Sequence, residues 1–113
     1  MNTNHQKSLA FHPLSEQVAH LGAVYLLGVR GTSRVKIGWA IDVEERIKRL
    51  QTGNHEPINL VTFVAGTRAL EAGLHRVFSD RRLRGEWFDD ADGEVSETLC
   101  ALHARWMSGE FYR

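Results

Sequence analysis

The chain has 113 residues, enough for one domain and too few for two ordinary ones. Hydrophobic residues make up 42% and charged residues 25%, the composition of a globular protein, and no apolar run approaches the ~18 residues of a membrane span. Lysine plus arginine balance aspartate plus glutamate at 14 each, which excludes a uniformly basic nucleic-acid binder but not a basic face with an acidic back.

Residues 1–20 are polar, contain Pro13 and show little periodicity. They are expected to form a poorly ordered lead, with a short helical turn over Ser15–His20 and no signal-peptide core. Ala23 to Val29 reads as a first strand, Gly31-Thr32-Ser33 as a turn, and Val35 to Trp39 as a second strand. A helix follows from Asp42, an N-cap with Glu45 in capping-box position. Its buried stripe is Val43, Ile47 and Leu50, and Gly53-Asn54 ends it, with Pro57 just beyond. Asn59 to Ala65 is a β-branched and aromatic third strand.

Gly66 or Thr67 caps a second helix that runs to about Ser79, with Leu70, Leu74, Val77 and Phe78 as its apolar set. Arg81 to Phe88 reads as a basic loop closing on the packing residues Trp87-Phe88, with Glu86 able to face a site instead. A last amphipathic helix covers about Gly93 to Met107, through Val95, Leu99, Leu102 and Trp106. The expected class is α+β: a three-stranded antiparallel sheet flanked by helices, with a core over residues 21–90 and a C-terminal helix over 91–113 packing on it. Cys100 has no partner for a disulfide and lies between apolar neighbours, so a buried thiol in a reducing, cytoplasmic setting is expected.

Basic residues crowd two stretches, Arg30 to Arg49 and Arg68 to Arg84, and acidic residues gather from Glu86 to Glu97. Ordinary solvated helix faces give the same pattern. Four residues stand out against that background. A tyrosine (Tyr25) and a lysine (Lys36) on paired strands can face one another. Arg46 lies near the positive end of the first helix, where an anion gains from both the dipole and the guanidinium fork. Glu71, the one acidic residue in the middle of the second helix, offers a carboxylate for a hard cation such as Mg²⁺ or Mn²⁺.

Each also has a plain structural reading: a half-buried strand tyrosine, an edge-solubilising lysine, a helix ion pair of Arg46 with Asp42, and a salt bridge of Glu71 with His75 or an arginine. His75, one turn beyond Glu71, is a partner of that glutamate, a proton shuttle, a phosphate contact or simply structural. Scattered histidines and one cysteine argue against a zinc site. Tyr25 passes a proton only if its pKa falls, and a neighbouring Lys36 or metal would lower it. Arg46, Arg49, Arg81, Arg82 and Arg84 are the expected nucleic-acid contacts. Tyr25, Lys36, Arg46 and Glu71 are expected on one concave surface, the chemistry of a phosphodiester substrate.

In order, the chain carries Ala23-Val24-Tyr25, Lys36-Ile37-Gly38, Asp42-Val43-Glu44-Glu45-Arg46, Leu50-Gln51-Thr52-Gly53-Asn54, Ala69-Leu70-Glu71 with Leu74-His75, and Gly85-Glu86-Trp87-Phe88. This ordered set resembles the GIY-YIG nuclease superfamily, and within it the small phage- and bacteria-associated branch whose second motif reads Lys-Ile-Gly. The resemblance implies hydrolysis of DNA at one divalent ion, by an endonuclease or nicking enzyme. Tyr25 matches the motif tyrosine, Arg46 the helix arginine and Glu71 the metal glutamate. Ala23 replaces the first motif's glycine, Lys36 the second motif's tyrosine, and the family's late asparagine has no clear match. The general base stays open between Tyr25 supported by Lys36 and a water with no side-chain base. The alternative is a nucleic-acid-binding module on the same scaffold, and a third class is a small interaction protein. Target preference is expected to be weak or supplied by a partner protein.

Overall fold

A computed structural model describes residues 22–109. The lead over residues 1–20 and its expected turn lie outside the described residues. The elements are β1 (Ala23–Val29), β2 (Arg34–Ala40), α1 (Val43–Thr52), β3 (Ile58–Ala65), α2 (Arg68–Val77), a 3₁₀ turn (Ser79–Arg81), β4 (Arg82–Arg84), β5 (Trp87–Asp89) and α3 (Glu94–Met107). Among the described residues no helix is long and apolar enough to cross a membrane.

The class is α+β, with one antiparallel sheet in the order β3-β1-β2-β5-β4. It has five strands where three were expected. The segment expected as a basic loop is a hairpin of two three-residue strands, turned at Gly85, whose φ of +57° suits a residue without Cβ. Such short strands carry too few residues for alternation to show, and β5 owes its place to pairing with the distant β2.

Alternation decides which side chains meet which helix. Val24, Leu26, Val35 and Ile37 point to one face, where α2 and α3 cover them with Leu74, Phe78, Val95 and Leu99. Phe88 from β5 joins this cluster and is fully buried. Ala23, Tyr25, Leu27 and Ala40 point to the other face, under Val43, Ile47 and Leu50 of α1. The sheet is thus the middle of three layers, so β1 is apolar along nearly its whole length.

Caps fix the helices. The Asp42 carboxylate accepts from Glu45 N at 3.1 Å, and the Thr67 hydroxyl accepts from Ala69 N at 3.2 Å. Each is worth about 1 kcal/mol against alanine. Gln51 holds the loop after α1 by donating to the carbonyls of Asn54 and Glu56 and accepting from Ile58 N. Asp90 takes Val95 N, Ser96 N and the Ser96 hydroxyl, so part of the late acidic run starts α3. Cys100 is exposed, against the expectation of a buried thiol: α3 turns Leu99 inward and the next residue outward.

Candidate active site at the open edge of β2

Tyr25 lies opposite Gly38 in the β1–β2 ladder, and its ring crosses the space where a side chain at Gly38 would stand. A Cβ placed there would come 2.3 Å from the hydroxyl oxygen and 2.4 Å from Cζ. Residue 38 is glycine because the tyrosine occupies its side-chain volume. Tyr25 is 0% exposed and its hydroxyl has no hydrogen-bond partner of regular geometry among the described residues. A buried hydroxyl left unpaired costs about 1–3 kcal/mol. Tyr25→Phe is therefore expected to unfold at an equal or higher urea midpoint than wild type. A clear loss of stability would mean that the hydroxyl has a structural partner.

Arg46 comes from α1, the helix that covers the Tyr25 face, and is half-buried. It makes no ion pair with Asp42, whose carboxylate is committed to the cap. Its guanidinium stands near the phenol without meeting it in regular hydrogen-bonding geometry, so the contact is best taken as electrostatic. Burial pushes the Tyr25 hydroxyl above its ordinary value, and the carboxylates of Glu86 and Glu71 add to that, while Arg46 opposes it. The direction is the reverse of the acidic phenol expected beside Lys36. Lys36 is occupied elsewhere: its Nζ lies 2.9 Å from Glu86 Oε1 and 5.6 Å from the centroid of the Trp87 ring.

The layer arrangement raises a question, because Glu71 belongs to α2, on the far side of the sheet from α1. The answer lies at the edge of β2. The short β5 pairs only with Arg34, Val35 and Lys36. Beyond them, Ile37 N donates to the Glu86 carbonyl at 3.0 Å and the Ile37 carbonyl accepts from His75 Nε2 at 2.9 Å. Among the described residues the rest of β2 has no neighbouring strand on that side, and α2 packs across it. Glu71, with a side chain 12% exposed, reaches the neighbourhood of Tyr25 and Glu86 around this edge.

Glu86 is the carboxylate neighbour that acts on Glu71. Burial holds the Glu71 carboxyl above the usual range, the Glu86 carboxylate pushes the same way, and His75 and Arg68 pull against them. Arg68 lies 4.3 Å above the Trp39 ring, and the Trp39 indole donates to the Gly66 carbonyl, which fixes the start of α2. His75 uses both ring nitrogens: Nε2 gives its proton to Ile37, and Nδ1 accepts from Arg82 at 3.0 Å. Its Nε2 stands 3.8 Å from Glu71. His75 thus holds β2 to the hairpin, and its position does not leave a nitrogen free to carry protons.

Tyr25, Lys36, Arg46, Glu71 and His75 therefore gather at one edge. The basic residues expected to line the same surface divide. Arg81 is held by Asp92 at 2.5 Å and by Glu94, which ties the 3₁₀ turn to the start of α3. Arg82 serves His75 and stacks 5.7 Å from the Phe88 centroid. Arg49 is exposed, with only a 4.0 Å approach to Glu45, and Arg84 is exposed with no ion pair among the described residues. One member of the cluster, Arg68, fell outside the expected residues, and Glu86 does face the site. Glu86 sits in a short motif beside Trp87 and Phe88, but only the β2–β5 pairing reveals that it faces Lys36. Among the described residues no three histidine, cysteine, aspartate or glutamate side chains converge as a metal cage, so the carboxylates present are a pair.

This is a small three-layer α+β domain with a tyrosine, an arginine and two carboxylates at an open strand edge. The T5orf172 domain model matches residues 22–103, most of the chain, and the chain belongs to that family. No curated protein and no solved structure matches it significantly.

Proposed function

We propose that the chain is a divalent-metal-dependent DNA endonuclease or nicking enzyme that hydrolyses phosphodiester bonds in the cytoplasm of a phage-associated system. The observation that carries this reading is the convergence of the unpartnered Tyr25 hydroxyl, Arg46 and the Glu71–Glu86 carboxylates at one strand edge. Membership of the T5orf172 family and the ordered resemblance to GIY-YIG nucleases support it. The residues fit a hard cation: Mg²⁺ takes one or two carboxylates and keeps several waters. Burial and mutual repulsion both disfavour charge on Glu71 here, and a divalent cation would offset both. When bound, such an ion stabilises charge on the phosphoryl oxygens and makes a nucleophile available at neutral pH.

The protein's own groups then divide the remaining work. Arg46 offers a fork to a phosphate oxygen. Tyr25 keeps its proton and can donate it in a hydrogen bond to the same phosphate, so its role is orientation. Lys36 adds a point charge once it is free of Glu86. His75 keeps the edge of β2 in place. Exposed Arg49 and Arg84 can contact the DNA backbone away from the reacting centre. Arg81 and Arg82 are engaged by Asp92, Glu94 and His75, and among the described residues no built groove of basic groups surrounds the edge, which favours a partner protein that supplies specificity.

The second reading is a nucleic-acid-binding module. A protonated phenol and a histidine with both nitrogens in use leave neither Tyr25 nor His75 as a free base, and that observation favours it. Supercoiled plasmid incubated with the purified chain separates the two. Nicked or linear product that needs Mg²⁺ or Mn²⁺ is expected. Binding without product at any divalent ion would make this a binding module.

A further inference from the structure

Glu86 has two neighbours of opposite sign. Lys36 Nζ lies 2.9 Å from its Oε1; the lysine side chain is 15% exposed and the Glu86 side chain 42%, so the lysine end of the pair is desolvated and the carboxylate end is open to solvent. On the other side stands the Glu71 carboxyl. Among the described residues Glu71 has no cation within ion-pair distance apart from the His75 ring, whose Nε2 proton already goes to Ile37. Lys36 is thus the close ion-pair partner of Glu86 alone, and Glu71, its side chain 12% exposed, is matched only at longer range by Arg68. The Tyr25 hydroxyl, fully buried and unpartnered, lies within electrostatic reach of both carboxylates. An orphaned buried hydroxyl beside two crowded carboxylates marks a place built for a bound group.

Resting on the metal-dependent reading of Glu71, we propose that Glu86 is a shared carboxylate: it holds Lys36 in the free protein and joins Glu71 as the second carboxylate for a divalent cation. Lys36 and the cation then compete for Glu86. The lysine is held back while the cation is away, and it is free to meet a substrate phosphate when the cation is in place. Thermodynamic reciprocity makes this testable without substrate. If the cation weakens the Lys36–Glu86 pair, then removing Lys36 must tighten the cation.

The measurement is a titration of the full chain with Mn²⁺ in the absence of DNA, followed by the electron paramagnetic resonance of free Mn²⁺. Glu86→Gln is expected to weaken Mn²⁺ binding by about tenfold or more, the scale of losing a ligand or its close support. Lys36→Met, which keeps the apolar stem over Trp87 and removes the competing charge, is expected to tighten binding by roughly threefold or more. Unchanged affinity in Glu86→Gln overturns the proposal, as does unchanged or weaker affinity in Lys36→Met. Thermal unfolding checks each variant. Should Glu86→Gln fail to fold, Glu86→Asp keeps the charge at shorter reach and is expected to bind more weakly than wild type, equal binding counting against the proposal. Glu71→Gln separates the two levels. If it binds Mn²⁺ like wild type, or if wild type binds none, the metal reading of Glu71 itself fails. If Glu71→Gln loses Mn²⁺ and Glu86→Gln does not, only the shared carboxylate fails.

Discussion

Glu71→Gln is expected to remove metal-dependent plasmid cleavage while DNA affinity stays near normal or becomes slightly tighter. Glutamine keeps the shape of the side chain and loses the charge that holds a hard cation. Charge stabilisation by a bound metal is worth several kcal/mol, so the loss in rate should be on the order of 10²–10⁴-fold. A gain in affinity would follow from removing a negative charge that faces phosphates. Equal cleavage by variant and wild type would make Glu71 a structural residue.

The same substitution should raise stability at neutral pH. Burial, and after it Glu86, lift the folded-state Glu71 carboxyl above its ordinary value of 4.5. Between that value and the raised one, the native protein holds a proton that the unfolded chain has released. Stability is then fully present below about 4.5, is lost as pH rises through the folded value, and stays reduced at pH 7. Glu71→Gln lacks this loss. Its melting temperature should exceed that of wild type at pH 7, and the gap should close as pH falls toward 4.5. A gap independent of pH would show that the charge on Glu71 is not under stress.

Gly38→Ala should be among the most damaging single methyl additions in the chain. The new Cβ would stand 2.3 Å from the Tyr25 hydroxyl, 2.4 Å from Cζ and 2.8 Å from Cε1. These atoms belong to a rigid ring with 0% exposure, packed between β1 and α1, so no flexible end can swing aside. Overpacking of this kind costs about 1–3 kcal/mol and occasionally more. At roughly 4–8 °C per kcal/mol for a domain of this size, a fall in melting temperature of about 10 °C or more is expected. The cause can be isolated by a double-mutant cycle. Combined with Tyr25→Ala, Gly38→Ala should cost far less than it does alone, because the clash has gone. Additive losses would place the tyrosine ring elsewhere.

The long elements were legible in the chain because each carries its own local signal. β1 and β3 are continuous apolar or β-branched runs, and α1 has an aspartate cap and an apolar stripe that match its observed start at Val43. The hairpin was not legible. Arg82–Arg84 and Trp87–Asp89 are too short for a period to form, and what makes them strands is an edge offered by residues far upstream. That gap explains why the partners of Glu86 were not legible, although its place near the site was. Nothing local to Glu86 says that its carbonyl will receive Ile37 N, or that its carboxylate will lie between Lys36 and Glu71. It also explains Arg81, which reads as a free cation in a loop and is in fact committed to Asp92 and Glu94. Electrostatic direction was equally hidden. Lysine and tyrosine on facing strands suggest an acidic phenol, but burial outweighs charge for Tyr25, and burial is a property of the assembled layers.

The pairing of β5 with β2, on the side away from its hairpin partner β4, makes part of the site depend on a contact between distant stretches of the chain. Tyr25 and Arg46 belong to the contiguous stretch β1-β2-α1, whose contacts close small loops and form early. Glu71 and Glu86 arrive only when α2 crosses the β2 edge and the hairpin docks, a step of long loop closure. During synthesis the N-terminal stretch emerges first. A half-made chain on a ribosome would therefore present a phosphate-attracting arginine and phenol without the carboxylate pair. For a nuclease, competence to cut would be the last property the molecule acquires, withheld from every unfinished copy.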